Sequence, residues 1–350
     1  MNHVKLGSSG LSVSNVCLGS MTWGLQNSQA DADRQLEYAL AKGINFIDTA
    51  EMYAIPPTAE TYGSTETIIG NWLARNPGRR SQIVLASKIA GNGLRWIRGG
   101  GDVTGAAVIS AVDASLKRLQ TDYIDLYQLH WPNRSSPHFG KHWPGRLTFS
   151  SVDAARNSEQ MLDILRGLSA CIEAGKIRYC GLSDETPWGI SEYLRLSEKY
   201  DLPCMVSIQN EFSLLHAKDW PYLVECCVMN NLAYLPWSPL AGGALSGKYM
   251  HGALPPGSRW TMLQRNGLFR DKTQTHAAIA EYKAVADRHN LSLATLSLAW
   301  CKQTDGVTST IIGATSMVQL EEDIAAFEVT LSEGILAEIM DVFKRYPQPF

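Results

Sequence analysis

Three titratable side chains stand at the ends of three consecutive segments that we predict to be buried parallel strands. Asp48 ends INFID, Lys88 ends IVLASK and His130 ends YIDLYQLH, while Tyr53 follows Asp48 in the next loop. Because neighbouring parallel strands lie about 4.8 Å apart, these groups are expected to converge on one small volume. Taken alone, Asp48 could cap a helix, Lys88 could lie on the surface and His130 could be a hydrogen-bonded core histidine. Their joint placement favours a common site.

The four side chains together have the chemistry of a proton donor. A free tyrosine has a pKa of about 10, which is high for proton exchange near neutrality. A lysine ammonium within about 4–6 Å is expected to lower the pKa of Tyr53. Asp48 would keep Lys88 charged and oriented, and His130 would hydrogen-bond a substrate oxygen or relay the proton. A proton donor of this kind can take part in the reduction of a carbonyl only if a hydride source is also present.

Short apolar runs alternate with longer amphipathic segments along the chain. The runs are rich in β-branched and aromatic residues, as strands buried on both faces are; they cover residues 16–19, 44–48, 83–88, 123–130, 177–183, 205–209, 232–237 and 308–313. Helical periodicity covers residues 32–42, 65–75, 104–119, 158–174, 188–199, 220–230, 292–302 and 317–327. This order predicts an α/β protein, a single (β/α)8 TIM barrel spanning residues 1–350. An open doubly wound sheet is the alternative, but the first strand-to-helix turn, LGSMTWG, lacks the GxGxxG pattern.

Several segments lie outside the eightfold repeat. Residues 6–11 predict an N-terminal hairpin that closes the bottom of the barrel, and residues 275–289 and 334–345 predict two extra helices. Three segments are longer than ordinary loops: residues 131–157, residues 241–272 and the stretch from Leu331 onwards. Long loops on a compact scaffold are usually functional.

Composition excludes several classes of function. The chain has 350 residues, 45% of them hydrophobic, and its 31 Lys and Arg against 34 Asp and Glu give a net charge of −3, which argues against a nucleic-acid partner. The N-terminus lacks the apolar core of a secretion signal, and no apolar run approaches the ~20 residues that cross a bilayer. No membrane association is therefore expected. The seven cysteines show no CxxC spacing, which favours the reducing cytoplasm. The ten tryptophans indicate either flat ligand surfaces or a large aromatic core.

A set of longer motifs carries a resemblance to a known family. FIDTAEMY, LASK, LYQLHW, GKIRYCGLSDE, SIQNEFS, LPWSPLAGGALSGKY and IIGATSMVQLEEDI together resemble the aldo-keto reductases over about residues 11–327. Within that superfamily the sequence is most similar to the bacterial Tas-like and potassium-channel β-subunit-like branch. The resemblance identifies the family's catalytic tetrad with Asp48, Tyr53, Lys88 and His130.

The resemblance also implies NADPH lying across the mouth of the barrel. Trp237 matches an aromatic that stacks on the nicotinamide, and Lys248 and Arg259 match cationic positions near the phosphates. The full set of implied cofactor contacts is Ser20, Met21, Ser183, Asp184, Gln209, Trp237, Ser238, Leu240, Gly242, Lys248, Arg259, Gly313, Thr315, Gln319, Glu322 and Asp323. Trp23 and Trp131 are expected to form walls of the substrate pocket.

Two departures from the family pattern concern the cofactor. Asp184 and Asp323 stand where the family has asparagine, and an aspartate carboxylate accepts hydrogen bonds but cannot donate them. Each would also add negative charge beside an anionic ligand. Because no lysine or arginine directly follows Gly313, the preference for NADPH over NADH is expected to depend on Lys248 and Arg259.

The expected function is therefore reduction of a small aldehyde or ketone, with hydride from the nicotinamide and Tyr53 as general acid. A nicotinamide-binding redox sensor or regulatory protein with slow turnover is the main alternative. A partner-binding module is a weaker one, since no exposed apolar stripe supports it. A metal-dependent barrel hydrolase would need ligands such as Asp125, His130, His138 and His142, but these lack paired ligand spacing, and no metal is expected.

Overall fold

The computed structural model describes residues 1–262 and 268–350. Its N-terminal segment is an antiparallel hairpin of β1 (His3–Lys5) and β2 (Ser12–Ser14). The turn between them brings Leu6 into one apolar cluster with inward-facing strand residues such as Phe46 and Leu126. The hairpin therefore closes the bottom of the barrel, as the sequence predicts.

Eight parallel strands follow in the described residues. They are β3 (Val16–Gly19), β4 (Phe46–Asp48), β5 (Val84–Ile89), β6 (Ile124–Leu129), β7 (Ile177–Ser183), β8 (Met205–Glu211), β9 (Ala233–Trp237) and β10 (Thr310–Ile312). Their spatial order is β10-β3-β4-β5-β6-β7-β8-β9. Between β9 and β10, the Thr308 amide donates to the Tyr234 carbonyl at 2.9 Å, and Tyr234 bridges Val307 in parallel. The sheet thus forms a nearly closed barrel, which confirms the predicted (β/α)8 fold and excludes the open sheet.

Helices surround this barrel. The described ones are α1 (Gln29–Ala41), α2 (Ser64–Arg75), α3 (Gly105–Leu119), α4 (Ala154–Glu173), α5 (Pro187–Tyr200), α6 (Tyr222–Met229), α7 (Thr273–Arg288), α8 (Leu293–Gln303), α9 (Met317–Ala325) and α10 (Glu333–Arg345). The predicted extra helices are α7 and α10, which pack against each other. No helix in the described part of the chain is long and apolar enough to cross a membrane.

Local sequence explains one boundary that differs from the periodicity. Helix α1 begins at Gln29, before the predicted start at residue 32. The Ser28 hydroxyl accepts from the Asp31 amide, and the Asp31 carboxylate accepts from the Ser28 amide. This capping box satisfies two backbone donors that the first turn leaves free, so the helix extends towards its N-terminus.

Two long connections lie at the C-terminal end of the strands. One joins β6 to α4, and the other leaves β9 and contains short 3-10 turns before α7; residues 263–267 of its predicted range lie outside the described residues. The chain after α10 reaches the same end, where the Nε2 atom of His142 lies 3.0 Å from the Phe350 carbonyl oxygen. These segments build the rim of the barrel mouth.

Candidate active site

A cavity of about 810 Å³ opens at the C-terminal ends of the barrel strands. Asp48, Tyr53 and His130 line it, together with Trp131. Every residue implied as a cofactor contact also lines it: Ser20, Met21, Ser183, Asp184, Gln209, Trp237, Ser238, Leu240, Gly242, Lys248, Arg259, Gly313, Thr315, Gln319, Glu322 and Asp323. The implied cofactor contacts, scattered along the sequence, are therefore brought to the same opening as Asp48, Tyr53 and His130.

Lys88 lies directly behind the cavity wall and contacts both Asp48 and Tyr53. Its Nζ atom donates to Asp48 Oδ2 at 2.6 Å and to the Thr49 carbonyl at 2.8 Å, and it lies 3.5 Å from the Tyr53 hydroxyl. The lysine side chain is completely buried. Burial is the largest single effect and disfavours the ammonium, but Asp48 and Tyr53 together outweigh it and raise the Lys88 pKa. Lys88 is therefore a fixed cation beside the phenol.

The second oxygen of Asp48 is held by two amides. Gln209 Nε2 donates to Asp48 Oδ1 at 2.9 Å, and Gln128 Nε2 lies 3.3 Å from the same oxygen. Gln209, an implied cofactor contact, thus directs its amide group to partners within the protein, since Nε2 also lies 3.3 Å from Gln128 Oε1. Sequence analysis missed Gln128, although side-chain alternation in β6 places it on the same face as His130, two residues later.

The pKa of Tyr53 differs from the expectation drawn from its neighbours. Lys88 acts in the expected direction and lowers it. Burial of the phenol is the larger effect, the Asp48 carboxylate adds to it, and the net pKa is raised. The predicted lowering is therefore wrong for the protein without ligand, because sequence spacing does not show how deeply the hydroxyl is buried. Tyr53 remains a protonated phenol, the form that can donate.

His130 is held as a neutral imidazole. Its ring meets the Tyr53 ring edge-on, with centroids 5.5 Å apart. Burial, and then the charge of Lys88, lowers its pKa well below the usual histidine range. Its Nδ1 atom is buried without a hydrogen-bond partner among residues 1–262 and 268–350. A neutral ring in this position can donate one hydrogen bond to a substrate oxygen.

Two cations line the cavity without a close ion pair among the described residues, although the nearby Asp323 carboxyl opposes the lowering of the Lys248 pKa. In the described part of the chain, neither Lys248 nor Arg259 forms an ion pair, although both are partly buried. Burial and then Arg259 lower the Lys248 pKa, and burial and then Arg270 lower the Arg259 pKa to about 10. Arg270 differs, because it is paired with the buried Glu211. Lys248 and Arg259 together suit an anionic ligand.

A glycine makes room for one of these cations. Gly243 has a φ of +92°, and a Cβ atom there would lie 2.8 Å from Lys248 Nζ. A side chain would thus strain the backbone and displace the ammonium. The adjacent Gly242 lines the cavity and approaches Arg259. This loop therefore presents main chain and positive charge to the same volume.

The remaining wall of this end is polar and acidic. The Gln319 side-chain oxygen accepts from the amide and hydroxyl of Thr315, and Glu322 accepts from Ser292 at 2.6 Å. Asp323 is buried, which, together with the charge of Glu322, raises its pKa to about 7. Across the cavity, the Ser20 hydroxyl is buried without a partner among the described residues.

Asp184 carries less charge than its residue type suggests. It follows β7 with a φ of +52°, a conformation that Asp and Asn tolerate better than most residues. Its Oδ1 atom accepts from Trp237 Nε1 at 3.2 Å, and His138 Nε2 lies 3.8 Å from the same oxygen. Burial is the largest effect and raises the pKa of this carboxyl well above its usual value. Burial outweighs the opposing effects of the Trp237 hydrogen bond and the Lys218 charge, so Asp184 adds less negative charge beside the cofactor than its residue type predicts.

We expect Asp184→Asn to become relatively more stabilising as pH rises. The folded pKa of Asp184 exceeds its unfolded value, so its contribution to stability falls as pH rises from about 4 through the folded pKa. Asparagine does not titrate, so the melting-temperature advantage of the variant should be larger at pH 8 than at pH 5. The exposed carboxylate of Asp341 provides a control variant, Asp341→Asn. An equal difference at both pH values would contradict the burial argument.

The two tryptophans expected to form pocket walls have different environments. Trp131 lines the cavity and packs beside His130 with ring centroids 5.1 Å apart. Trp23 is completely buried and does not line it. Its indole nitrogen donates to Gln35 Oε1 on α1 at 2.9 Å, and the ring belongs to the core between barrel and helices. The prediction that Trp23 forms a wall of the substrate pocket is therefore wrong, because its ring packs beneath α1.

The loop between β6 and α4 contributes site residues that the sequence did not reveal. The Phe139 ring packs against Trp237, with centroids 5.8 Å apart and an interplanar angle of 30°. Arg134 forms an ion pair with Glu185, and Lys218 donates to the Pro137 carbonyl at 2.9 Å. Nothing in the periodicity of this loop could have shown these contacts, since they join segments far apart in the chain.

Two of the side chains considered as metal ligands, Asp125 and His142, have other partners. Asp125 pairs with Arg80 and Arg178, and the Nε2 atom of His142 lies beside the Phe350 carbonyl. Within the residues that the structure describes, no three His, Cys, Asp or Glu side chains form a group that could hold a metal ion. The four residues considered as metal ligands of a hydrolase therefore do not form a metal-binding group among the described residues.

Comparisons with known proteins agree with this geometry. Residues 15–343 match the aldo/keto reductase family. The chain is 44% identical to Protein tas of Escherichia coli, over 100% of this chain and 99% of that protein. It is 30% identical to the oxidoreductase YrpG of Bacillus subtilis, over 98% of this chain and 96% of that one. A probable voltage-gated potassium channel subunit beta of Arabidopsis thaliana is 29% identical over 99% of this chain and 98% of its own length.

Proposed function

Because this chain belongs to the aldo/keto reductase family and is an oxidoreductase, we propose that it reduces an aldehyde or ketone to the alcohol with NADPH. Tyr53 is the proton donor in this proposal. The observation that carries it is the contact of Lys88 Nζ with both Asp48 and the Tyr53 hydroxyl at the wall of a cavity. The family match over residues 15–343 supports one domain covering residues 1–350.

The tetrad suits protonation of an oxygen that gains electrons. When bound, NADPH would supply the hydride to the carbonyl carbon. The neutral imidazole of His130 donates a hydrogen bond to the carbonyl oxygen and positions it near Tyr53. The Tyr53 hydroxyl gives its proton to that oxygen, and the Lys88 ammonium stabilises the phenolate left behind. Asp48 keeps the Lys88 ammonium charged and oriented towards the Tyr53 hydroxyl during the proton transfer.

The cavity fits an extended dinucleotide with a flat end and an anionic end. Lys248 and Arg259 are free to neutralise phosphates, and the buried Ser20 hydroxyl needs a partner. Trp237 offers a flat face near Tyr53, and its indole nitrogen is tied to Asp184. Gln319 and Asp323 lie at the end expected to hold the adenosine. These residues support a nicotinamide dinucleotide as the cofactor.

The choice between NADPH and NADH is expected to depend on the two unpaired cations. Lys248→Gln and Arg259→Gln should each weaken NADPH binding about 10-fold or more, because hydrogen bonds to charged groups contribute about 1.5–3 kcal/mol. Binding of NADH, which lacks one phosphate, should weaken less. Quenching of tryptophan fluorescence would measure both affinities, with Lys344→Gln on the exposed face of α10 as a charge-matched control. An equal loss of affinity for NADPH and NADH would show that Lys248 and Arg259 do not determine the choice between them.

A nicotinamide-binding regulator with slow turnover is a second candidate. The likeness to a probable potassium channel subunit beta favours it, as does the packing of Phe139 over Trp237, which would hinder exchange of a bound ligand. Reduction of an aldehyde panel with NADPH and NADH, followed over a first turnover and then at steady state, separates the two. A regulator should show one fast turnover and then a steady-state rate equal to a very slow, separately measured release of the cofactor, whereas an enzyme should sustain many turnovers on the same timescale as the first.

A further inference from the structure

The substrate end of the cavity is bounded by an indole that lies against the main chain. Trp131 follows His130 directly, lines the cavity and donates from Nε1 to the Asn92 carbonyl at 3.1 Å. Met52 and Ile55 pack around Tyr53 on the other side. The position of the Trp131 ring therefore decides how much room a group attached to the carbonyl carbon has.

Gly91 allows the indole to lie where it does. A Cβ atom on Gly91 would lie 2.1 Å from Trp131 Nε1, 2.3 Å from Cδ1 and 2.5 Å from Cε2. All three atoms belong to one rigid ring, so the ring cannot relieve the overlap by bending. Gly91 is buried and does not line the cavity, whereas Trp131 does. The ring thus separates Gly91 from the substrate volume, and a displaced ring moves into that volume.

The main chain around Gly91 is tied down and cannot retreat easily. The Asn92 side-chain amide donates to the Asn133 carbonyl at 3.0 Å and to Asp102 Oδ1 at 2.7 Å. The Asn133 side chain in turn pairs with both the amide and the carbonyl of Val103, at 2.8 and 2.9 Å. These bonds join the loop that carries Gly91 to the loop that carries Trp131. An added methyl group is therefore accommodated mainly by the indole.

We propose that Gly91 is a specificity-determining residue that keeps the carbonyl end of the cavity wide enough for substrates with a bulky apolar group, aryl or branched, beside the carbonyl. This inference rests on the proposed carbonyl reduction and deepens it by naming the substrate class. Because Gly91 has no side chain, the Trp131 ring can lie back against the main chain. Gly91 thereby enlarges the pocket without contacting the substrate.

The test compares Gly91→Ala with the wild-type protein on two aldehydes, benzaldehyde and acetaldehyde. The ratio of their kcat/KM values should shift at least about 10-fold towards acetaldehyde, since one methylene in a pocket changes selectivity 10–200-fold. NADPH affinity should stay within about twofold. Gly101→Ala is the matched control, because a Cβ there meets only the Arg98 carbonyl at an ordinary 3.7 Å. An unchanged ratio in folded Gly91→Ala would overturn the proposal.

A double-mutant cycle keeps the proposal testable if Gly91→Ala alone folds poorly. In a Trp131→Ala background the clash is gone, so adding Gly91→Ala should change the ratio less than about twofold. Trp131→Ala alone should shift the ratio towards benzaldehyde and larger aryl aldehydes. An effect of Gly91→Ala that persists without the indole would overturn the proposal. If the wild-type protein reduces neither aldehyde with NADPH or NADH, the proposed function itself fails, and this inference fails with it.

Discussion

Tyr53→Phe is expected to lower the rate of carbonyl reduction by about 10²–10⁴-fold, the usual contribution of a positioned general acid. The hydroxyl is the one proton-bearing group that Lys88 holds at the cavity wall, and phenylalanine keeps the ring that packs beside His130. Because the ring remains, the variant should fold normally and bind NADPH with affinity within about twofold of the wild-type value. Steady-state reduction of an aldehyde and fluorescence titration with NADPH provide the two measurements.

A matched control separates this loss from a general effect of removing a phenol. Tyr222→Phe alters a tyrosine that is 76% exposed on α6 and should leave both quantities unchanged. Full turnover in Tyr53→Phe would exclude Tyr53 as the acid and would leave His130 as the remaining donor. Loss of NADPH binding together with activity would instead indicate that the phenol supports the cofactor pocket.

Lys88→Met is expected to destabilise the fold as well as abolish reduction. Lys88 and Asp48 form an ion pair at 2.6 Å in which the side chains are 0% and 3% exposed. Removing one partner of a buried pair leaves an uncompensated charge, which typically costs about 3–5 kcal/mol in the free energy of unfolding. Chemical denaturation measures this cost. The exposed pair of Lys176 and Asp113 is the control, and Lys176→Met should have a far smaller effect.

A double variant separates the structural and chemical parts of that prediction. Lys88→Met combined with Asp48→Asn removes both charges and should recover much of the lost stability, because the buried carboxylate is then absent. Reduction should remain abolished, since nothing stabilises the Tyr53 phenolate. Recovery of activity together with stability would show that Lys88 acts only on the fold.

The positions of Asp48, Lys88 and His130 could be predicted because they depend on local pattern. A short apolar strand predicts which residue comes last, and parallel strands in chain order bring their last residues to one end of a barrel. The pairing of β4, β5 and β6 in that order confirms this part of the prediction. The capping box at Ser28 was equally local and could have been read from the sequence, although the helical period alone did not show it.

Other features depend on contacts between residues far apart in the chain. Trp23 is turned under α1 by its bond to Gln35, and Phe139 reaches Trp237 from a loop with no periodicity. The protonation of Tyr53, Asp184 and Asp323 follows from burial, which no residue type or spacing reveals. Sequence analysis could therefore name the groups near the site but not their charge.

Alternation, helical period and chain order are local properties, and a parallel barrel converts them directly into position. They were therefore enough to predict the barrel, its order of strands, and the placement of Asp48, Lys88 and His130 at the strand ends. Three features could be found only in the folded chain: burial raises the pKa of Asp184, Lys248 and Arg259 form no ion pair within the described residues, and Trp131 lies against Gly91. These properties arise from burial and close packing, which exist only after distant segments have met.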